Sequence, residues 1–348
     1  GVVVRGEGEI ALRGLVEFVN GQRQLLNIPN LVYRDKTSNE VVRTNLETPD
    51  LETLEYPPTT DTYAEIMRRG GNVMVQASRG CSWGGCVYCT RTSFRRSGIV
   101  KQKGRTHSWQ GFKVERVLQI LEQIMSMGIS EVEFADDEFF GGREDENIDR
   151  IMAIAEGIER LRQKYGVDFS FRIFTRPAII YKDGDRDDKN AVMRQLLLRL
   201  KEAGLVKVFI GVEAGNSAQL KRYRRGLSLK ETMRALEILN ELQIGIDSGF
   251  IMFDAELTVE EMLENLVFFR ANRLMPYNQW PFRPLAVNEG ARIVQGLAEK
   301  GLLGKTNINF IDSKYTFKDK DIEKIAKIVD EVSVKTRTVF YALKTKSK

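Results

Sequence analysis

Residues 205–253 read LVKVFIGVEAGNSAQLKRYRRGLSLKETMRALEILNELQIGIDSGFIMF. An apolar run, LVKVFIGVEAG, precedes a stretch of helical period, SLKETMRALEILNELQ, and a second apolar run, GIDSGFIMF, follows at once. Strand, helix and strand at this spacing predict two parallel strands joined by a helical crossover. The same unit repeats on both sides. Upstream, VMVQASRGC is followed after a basic loop by KVERVLQILEQIMSM, then EVEFADDEFF by NIDRIMAIAEGIERLRQKYG, and DFSFRIFTR by NAVMRQLLLRLKEAG. Downstream comes TVEEMLENLVFFRANR, with a sixth strand expected within PYNQWPFRPLAV at residues 276–287. Gly128, Gly166, Gly204 and Gly245 stand where these helices should close, in the position that favours a left-handed residue.

Such alternation implies an α/β fold with a parallel sheet, either an open barrel or a doubly wound sheet. In both, functional side chains gather at the carboxyl ends of the strands. Cys81, Asp136 to Glu138, Arg176, Glu213 and Phe253 all fall there. Before the repeating core, residues 1–28 read as one strand (VVV) and one amphipathic helix (EIALRGLVEFV). Residues 29–70, with Pro29, Pro49, Pro57 and Pro58, read as an irregular connector. After it, residues 291–348 form an extension with a helix, DIEKIAKIVDEVSVKTRTVFYAL, carrying Ile322, Ile325, Ile328 and Val329.

All three cysteines of the 348-residue chain lie in RGCSWGGCVYCT, residues 79–90. An odd number of thiols in nine positions does not make a disulfide framework. A metal site in a reducing, cytoplasmic setting fits better. The composition is that of an ordinary globular protein, 42% hydrophobic and 29% charged. No run approaches the roughly 20 apolar residues of a membrane span, and no secretory leader opens the sequence. The net charge of +5 permits an anionic partner without demanding one. Thiolates suit zinc or an iron–sulfur cluster. Zinc held by the three cysteines and the single histidine, His107, is one reading. The other is a cluster whose fourth iron has no protein ligand and stays open to a small molecule.

The cysteine window, the alternating units and the polar patch after the second strand resemble the radical S-adenosylmethionine (SAM) superfamily, and within it the cobalamin-binding branch. The stretches carrying the resemblance are VVVRGEGE, IPNLVYRD, SRGCSWGGCVYCT, FADDEFF, FIGVEAG with KRYRRG, and GFIMFDAELTVEEMLENLVFF. They run in order through residues 1–290. One departure is visible. The usual spacing has three residues between the first two cysteines, whereas Cys81 and Cys86 enclose four, SWGG. Adjacent glycines have the conformational freedom to absorb the extra residue.

The resemblance implies a partial (β/α)6 TIM-like barrel over residues 71–290. Residues 1–28 would be the edge of a Rossmann-like cobalamin-binding domain lying further upstream, 29–70 a linker, and 291–348 a helical extension. It also implies the chemistry. A [4Fe–4S] cluster on Cys81, Cys86 and Cys89 would bind SAM at its open iron and cleave it reductively to a 5′-deoxyadenosyl radical. The electron would come from a carrier such as flavodoxin or ferredoxin. Tyr88 would lie by the adenine, Asp136 and Asp137 would receive the methionine ammonium, and Glu213 the ribose hydroxyls. Arg176, Arg224 and Arg225 are candidates for the methionine carboxylate, although Lys221 to Arg225 reads equally as a solvated helix end. Trp83 would shield the cluster, while Phe250 and Phe253 pack the core and Trp280 lies near the substrate pocket or in the core. The branch implies cobalamin in the upstream domain and methyl transfer to a small molecule or natural-product precursor. Two alternatives stand: action on RNA or a peptide, resting on the basic, aromatic loop RTSFRRSGIVKQKGRTHSW, and a non-catalytic protein whose three cysteines bind structural zinc.

Overall fold

The computed structural model describes residues 1–54, 62–91, 100–102, 105–107, 109–185, 187–274, 284–307 and 312–346. Five strands form the central sheet: Val73–Val75, Glu131–Phe134, Ser170–Thr175, Leu205–Glu213 and Gly245–Phe250. All neighbours are parallel, and each strand lies beside the one before it in the chain. A doubly wound sheet would reverse direction part-way. This order does not, so the sheet is the wall of a partial barrel. Most of the expected sixth strand lies outside the described residues, Trp280 included. Its end continues the wall through one parallel bridge, Phe253 to Pro284, and then turns away. Val287–Asn288 pairs antiparallel in a separate small sheet.

Alternation within the strands separates two environments. Val132, Phe134, Phe171, Ile173, Val208 and Ile210 face the helices and are buried in the main core. Their helical partners are Val114–Ser126, Asp145–Tyr165, Asp187–Glu202, Leu229–Glu241 and Val259–Ala271. The last two begin with complete capping boxes, Ser228 with Glu231 and Thr258 with Glu261. Such a cap satisfies two orphan amides at a helix start. The opposite strand face carries Arg172, Phe174, Lys207, Phe209 and Asp247, with the rings of Phe174 and Phe209 packed 4.9 Å apart. Phe250 and Phe253 are buried core residues, as expected.

Three sequence expectations change. Gly128, Gly166 and Gly204 take left-handed angles at helix ends, but Gly245 does not; Gln243, at φ 53°, turns that corner and Gly245 already belongs to the strand. The stretch 29–70 is not a plain connector. Leu31–Arg34 pairs antiparallel with both Val2–Val4 and Val41–Arg43, around a small core of Ala11, Ile28, Leu31 and Tyr33. The N-terminal strand is thus paired along one edge, by Leu31–Arg34, and forms the outer strand of this sheet. Finally, residues 291–348 are not purely helical: Leu303–Asn307 and Asp312–Tyr315 build the small sheet with Val287–Asn288. In the long helix Lys320–Lys346, Ile322 is buried and Ile325 and Val329 pack on the core, whereas Ile328 is exposed. Position 328 lies six residues after 322, off the face that 325 and 329 share with it.

Candidate active site at the carboxyl ends of the strands

The first strand runs into Ser78–Gly80, which pairs with Trp109–Gly111, and the chain then turns into the cysteine loop. That loop is fastened from both sides. The Val87 amide donates to the Tyr223 carbonyl (3.1 Å), and the Ile293 amide donates to the Val87 carbonyl (2.9 Å). Arg292 donates from one nitrogen to the carbonyls of Gly84 (3.1 Å), Gly85 and Cys86 (3.2 Å). The extra residue of SWGG is thus gathered into a turn, with Gly84 left-handed at φ 60° and three carbonyls on one guanidinium. Trp83 lies across this turn. Its indole N–H donates to the Arg224 carbonyl (2.9 Å), and its ring sits so close to Gly226 that a Cβ there would come within 2.2 Å of it.

The three thiols are free of disulfides; Cys86 is buried, and Cys81 and Cys89 are half-buried. Arg225 lies beside them, almost fully enclosed. It donates to Cys86 Sγ and to the Tyr88 hydroxyl (both 3.2 Å) and to the Gly211 carbonyl, and stands 3.9 Å from the Glu213 carboxylate. Arg176, also buried, donates to the Arg225 carbonyl (3.0 Å), and its guanidinium lies 5.2 Å from the centre of the Trp83 ring. Burial pushes the Cys81 thiol up in pKa, and the Arg176 charge opposes that shift. Burial likewise raises Tyr88 well above its usual range, against the pull of Arg225. Glu213 takes a left-handed φ of 70° where the strand register slips, which swings its side chain towards Arg225.

Across the loop, the acidic patch divides into three environments. Asp136 is buried and bound to the first strand's exit, accepting from the Ser78 hydroxyl and the Ala77 amide (3.2 Å). Glu138 is fully buried and accepts from the amides of Phe140 (2.9 Å) and Gly141 (2.8 Å), and from Thr175 and Ser82 hydroxyls (3.3 Å each). It ties the residue after Cys81 to two strands. Only Asp137 opens onto space. It accepts from the Gly80 amide (3.2 Å), pairs with Arg91, and lines a cavity of about 680 Å³ with Glu7, Glu9, Arg79 and Glu289.

Of the residues singled out in the sequence, Tyr88, Arg176, Glu213 and Arg225 gather around the thiols, and Asp137 faces the cavity beside them. Asp136 is committed to the scaffold, and the Arg224 side chain points out to solvent. Sequence reading missed the structural part of Glu138, although it follows the two aspartates directly, and missed Arg292, which no local pattern connects to the cysteines.

Burial pushes the Asp136 carboxyl up from 3.8 to about 7. A carboxyl whose pKa rises on folding favours the folded state while protonated, so that contribution is complete at low pH and lost as pH rises to the folded pKa. Urea unfolding is expected to show stability falling by a few kcal/mol from about pH 4 to about pH 7, then levelling. In Asp136→Asn that slope should flatten; an unchanged slope would assign it elsewhere.

The donor set can be tested against the two metal readings. Among the described residues no three Cys, His, Asp or Glu side chains close around one point as ligands of a single ion would. Zinc needs such convergence, with each sulfur about 2.3 Å from the metal. The His107 side chain lies outside the described residues. A cluster spreads its thiolates over separate irons. The cationic setting of Arg225 and Arg176 suits the negative charge that three thiolates bring. Both arginines also keep a buried Nε–H with no partner among the described residues. Such donors fit a carboxylate.

A parallel β/α wall with three thiols on the loop after its first strand defines a cluster-binding, partial-barrel class of protein. The family model described as the radical SAM superfamily matches residues 75–269, more than half of the chain. The chain belongs to the radical SAM superfamily, and membership implies a [4Fe–4S] cluster and SAM. Among curated proteins, 4'-phospho-dehydrooxetanocin synthase of Priestia megaterium is 30% identical over 280 residues, covering 77% of this chain and 35% of that protein. An uncharacterized methyltransferase of Pyrococcus horikoshii is 27% identical over 273 residues, covering 76% of this chain and 52% of its own length. Among solved structures, the cobalamin-dependent SAM radical enzyme OxsB, with aqua-cobalamin and SAM bound, has a TM-score of 0.83 at 24% identity, over 99% of this chain and 52% of that one. The methyltransferase TsrM of Kitasatospora setae, with cobalamin and a [4Fe–4S] cluster, has a TM-score of 0.62 at 17% identity, over 86% and 55%. These structural likenesses establish the fold. The chain spans about a third to a half of the relatives it matches.

Proposed function

We propose that this chain is the catalytic part of a radical SAM enzyme that carries out cobalamin-dependent methyl transfer, or a related radical transformation, on a small molecule or natural-product precursor. The observation that carries the reading is the loop of three thiols beside buried Arg225 and Arg176, next to a cavity bounded by Asp137. When bound, the cluster supplies one-electron reduction of the SAM sulfonium. The chain's residues do the rest. Cys81, Cys86 and Cys89 hold the cluster; the unpartnered Nε–H groups of Arg176 and Arg225 are available to the methionine carboxylate; Glu213 serves the ribose hydroxyls and Tyr88 closes the site near the adenine. Asp137, the aspartate that faces open space, takes the ammonium.

An upstream cobalamin domain is supported by the exposed apolar side chains of Val3, Leu12, Val16 and Val19 on the N-terminal strand and helix. A covering domain is one way such a patch is buried. No helix among the described residues is long and apolar enough to cross a membrane. The basic loop behind the RNA alternative lies largely outside the described residues and lends it no support.

Anaerobic reconstitution with iron and sulfide, followed by a dithionite-driven assay for 5′-deoxyadenosine, tests the reading. Release of the nucleoside supports it; a reconstituted, brown protein that leaves SAM intact would sink it. Within that assay, Asp137→Asn should raise the KM for SAM by roughly ten- to a hundredfold, the worth of one charge-assisted hydrogen bond. Asp136→Asn should leave KM nearly unchanged.

A further inference from the structure

On the radical SAM reading, electrons reach the thiol loop from outside, and one face beside that loop is both exposed and basic. Trp83, inside the loop, keeps 42% of its surface exposed although its neighbours on both sides are held in the fold. Around it lies a shallow cavity of about 440 Å³ lined by Lys221, Arg224, Arg225, Gly226 and Ser228, and among the described residues no acidic side chain lines it. Its two exposed cations differ from those nearby. Arg222 is held by Glu261 (2.8 Å) and Asp254 (3.3 Å), Lys230 by Asp183 (3.1 Å), and Lys300 by Glu256 (2.7 Å). Lys221 and Arg224 have no ion-pair partner among the described residues. The nearest capping carboxylate, Glu231, is buried and engaged by the Ser228 amide (2.6 Å).

We infer that the face formed by Trp83, Lys221 and Arg224 is the docking surface for a small acidic protein that carries one electron, of the flavodoxin or ferredoxin kind. The inference rests on the radical SAM reading above. The chemistry is simple: the reduced carrier loses one electron, the oxidised cluster gains it, and no proton or bond changes hands. Uncompensated cations around an exposed aromatic attract an acidic partner and orient it, and their effect weakens as salt screens them. Trp83 gives that partner a flat, rigid contact on the thiol loop itself. Arg176 behind the ring and Gly226 beside it fix the indole in place.

The test uses the reconstituted holoprotein, a bacterial flavodoxin as probe, and the variant Lys221→Glu/Arg224→Glu. Flavodoxin binding is measured by surface plasmon resonance at low and high salt. At low salt the double variant should bind at least about tenfold more weakly than the parent, and the parent's affinity should fall as salt rises. In parallel, 5′-deoxyadenosine release is driven by dithionite or by reduced flavodoxin. The inference predicts unchanged dithionite-driven release with a loss of about tenfold or more in flavodoxin-driven release. Equal binding by parent and variant would overturn it, as would equal loss with both reductants, which would mean the cations serve the loop rather than the partner. The milder Lys221→Gln should give a smaller shift in the same direction and guards against a folding defect. If dithionite itself yields no nucleoside with the parent, the radical SAM reading fails, while the binding measurement still decides the docking surface.

Discussion

Cys89→Ala protein, reconstituted anaerobically, is expected to emerge nearly colourless, holding well under the four irons of an intact cluster. The loop provides three sulfurs on separate backbone positions, and the sequence holds no fourth cysteine to replace a lost one. Removing one thiol leaves two irons without anchors, and the remaining pair do not hold the assembly. Cleavage of SAM should vanish with the colour. Urea unfolding should move little, because Cys89 is half-buried and belongs to none of the hydrophobic clusters of the barrel. Iron content, visible absorbance and nucleoside release check this together. A brown Cys89→Ala protein with unchanged iron would mean that the thiols are not the ligands.

Arg225→Met should produce the second large effect, and of a different kind. Arg225 is 4% exposed and joins Cys86, Tyr88, the Gly211 carbonyl and Glu213. Replacing it leaves the Glu213 carboxylate without its cation and the Tyr88 hydroxyl without its donor. Breaking a largely buried pair in this way costs about 3–5 kcal/mol. The expected results are a lower urea midpoint and a weaker apparent affinity for SAM. Arg225→Lys should recover only part of the loss, because an ammonium cannot span the same fork of acceptors. Thermal and urea unfolding read the first effect, and KM for SAM the second. A Met variant as stable as the parent would show that the buried network does not depend on the guanidinium.

Much of this site was legible in the sequence because its parts sit at strand ends, and strand ends are marked by periodicity. FIGVEAG predicts both a strand and the place of Glu213, and the structure has Leu205–Glu213. FADDEFF predicts a strand followed by a polar turn. It does not predict which carboxylate is structural, because that depends on where Ser78 and Ala77 sit, some sixty residues earlier. The antiparallel sheet in residues 1–43 was missed for a related reason. LVYR and VVR are too short for a convincing alternation, and pairing with Val2–Val4 is a long-range choice. Gly245 was misjudged because glycine favours helix ends without being required there; Gln243 paid the small cost of a left-handed angle instead.

The clasp of Arg292 on Gly84, Gly85 and Cys86 alters where the working unit ends. A boundary at residue 290 looks natural, since the barrel wall is finished by then. A fragment cut there would keep every thiol and all five strands of the central sheet, yet its ligand loop would lose the guanidinium and the Ile293 amide that fix its path. The tail beyond the barrel is thus a strut for the metal-binding turn, and shortening the protein to its apparent core would discard part of the apparatus it was meant to isolate.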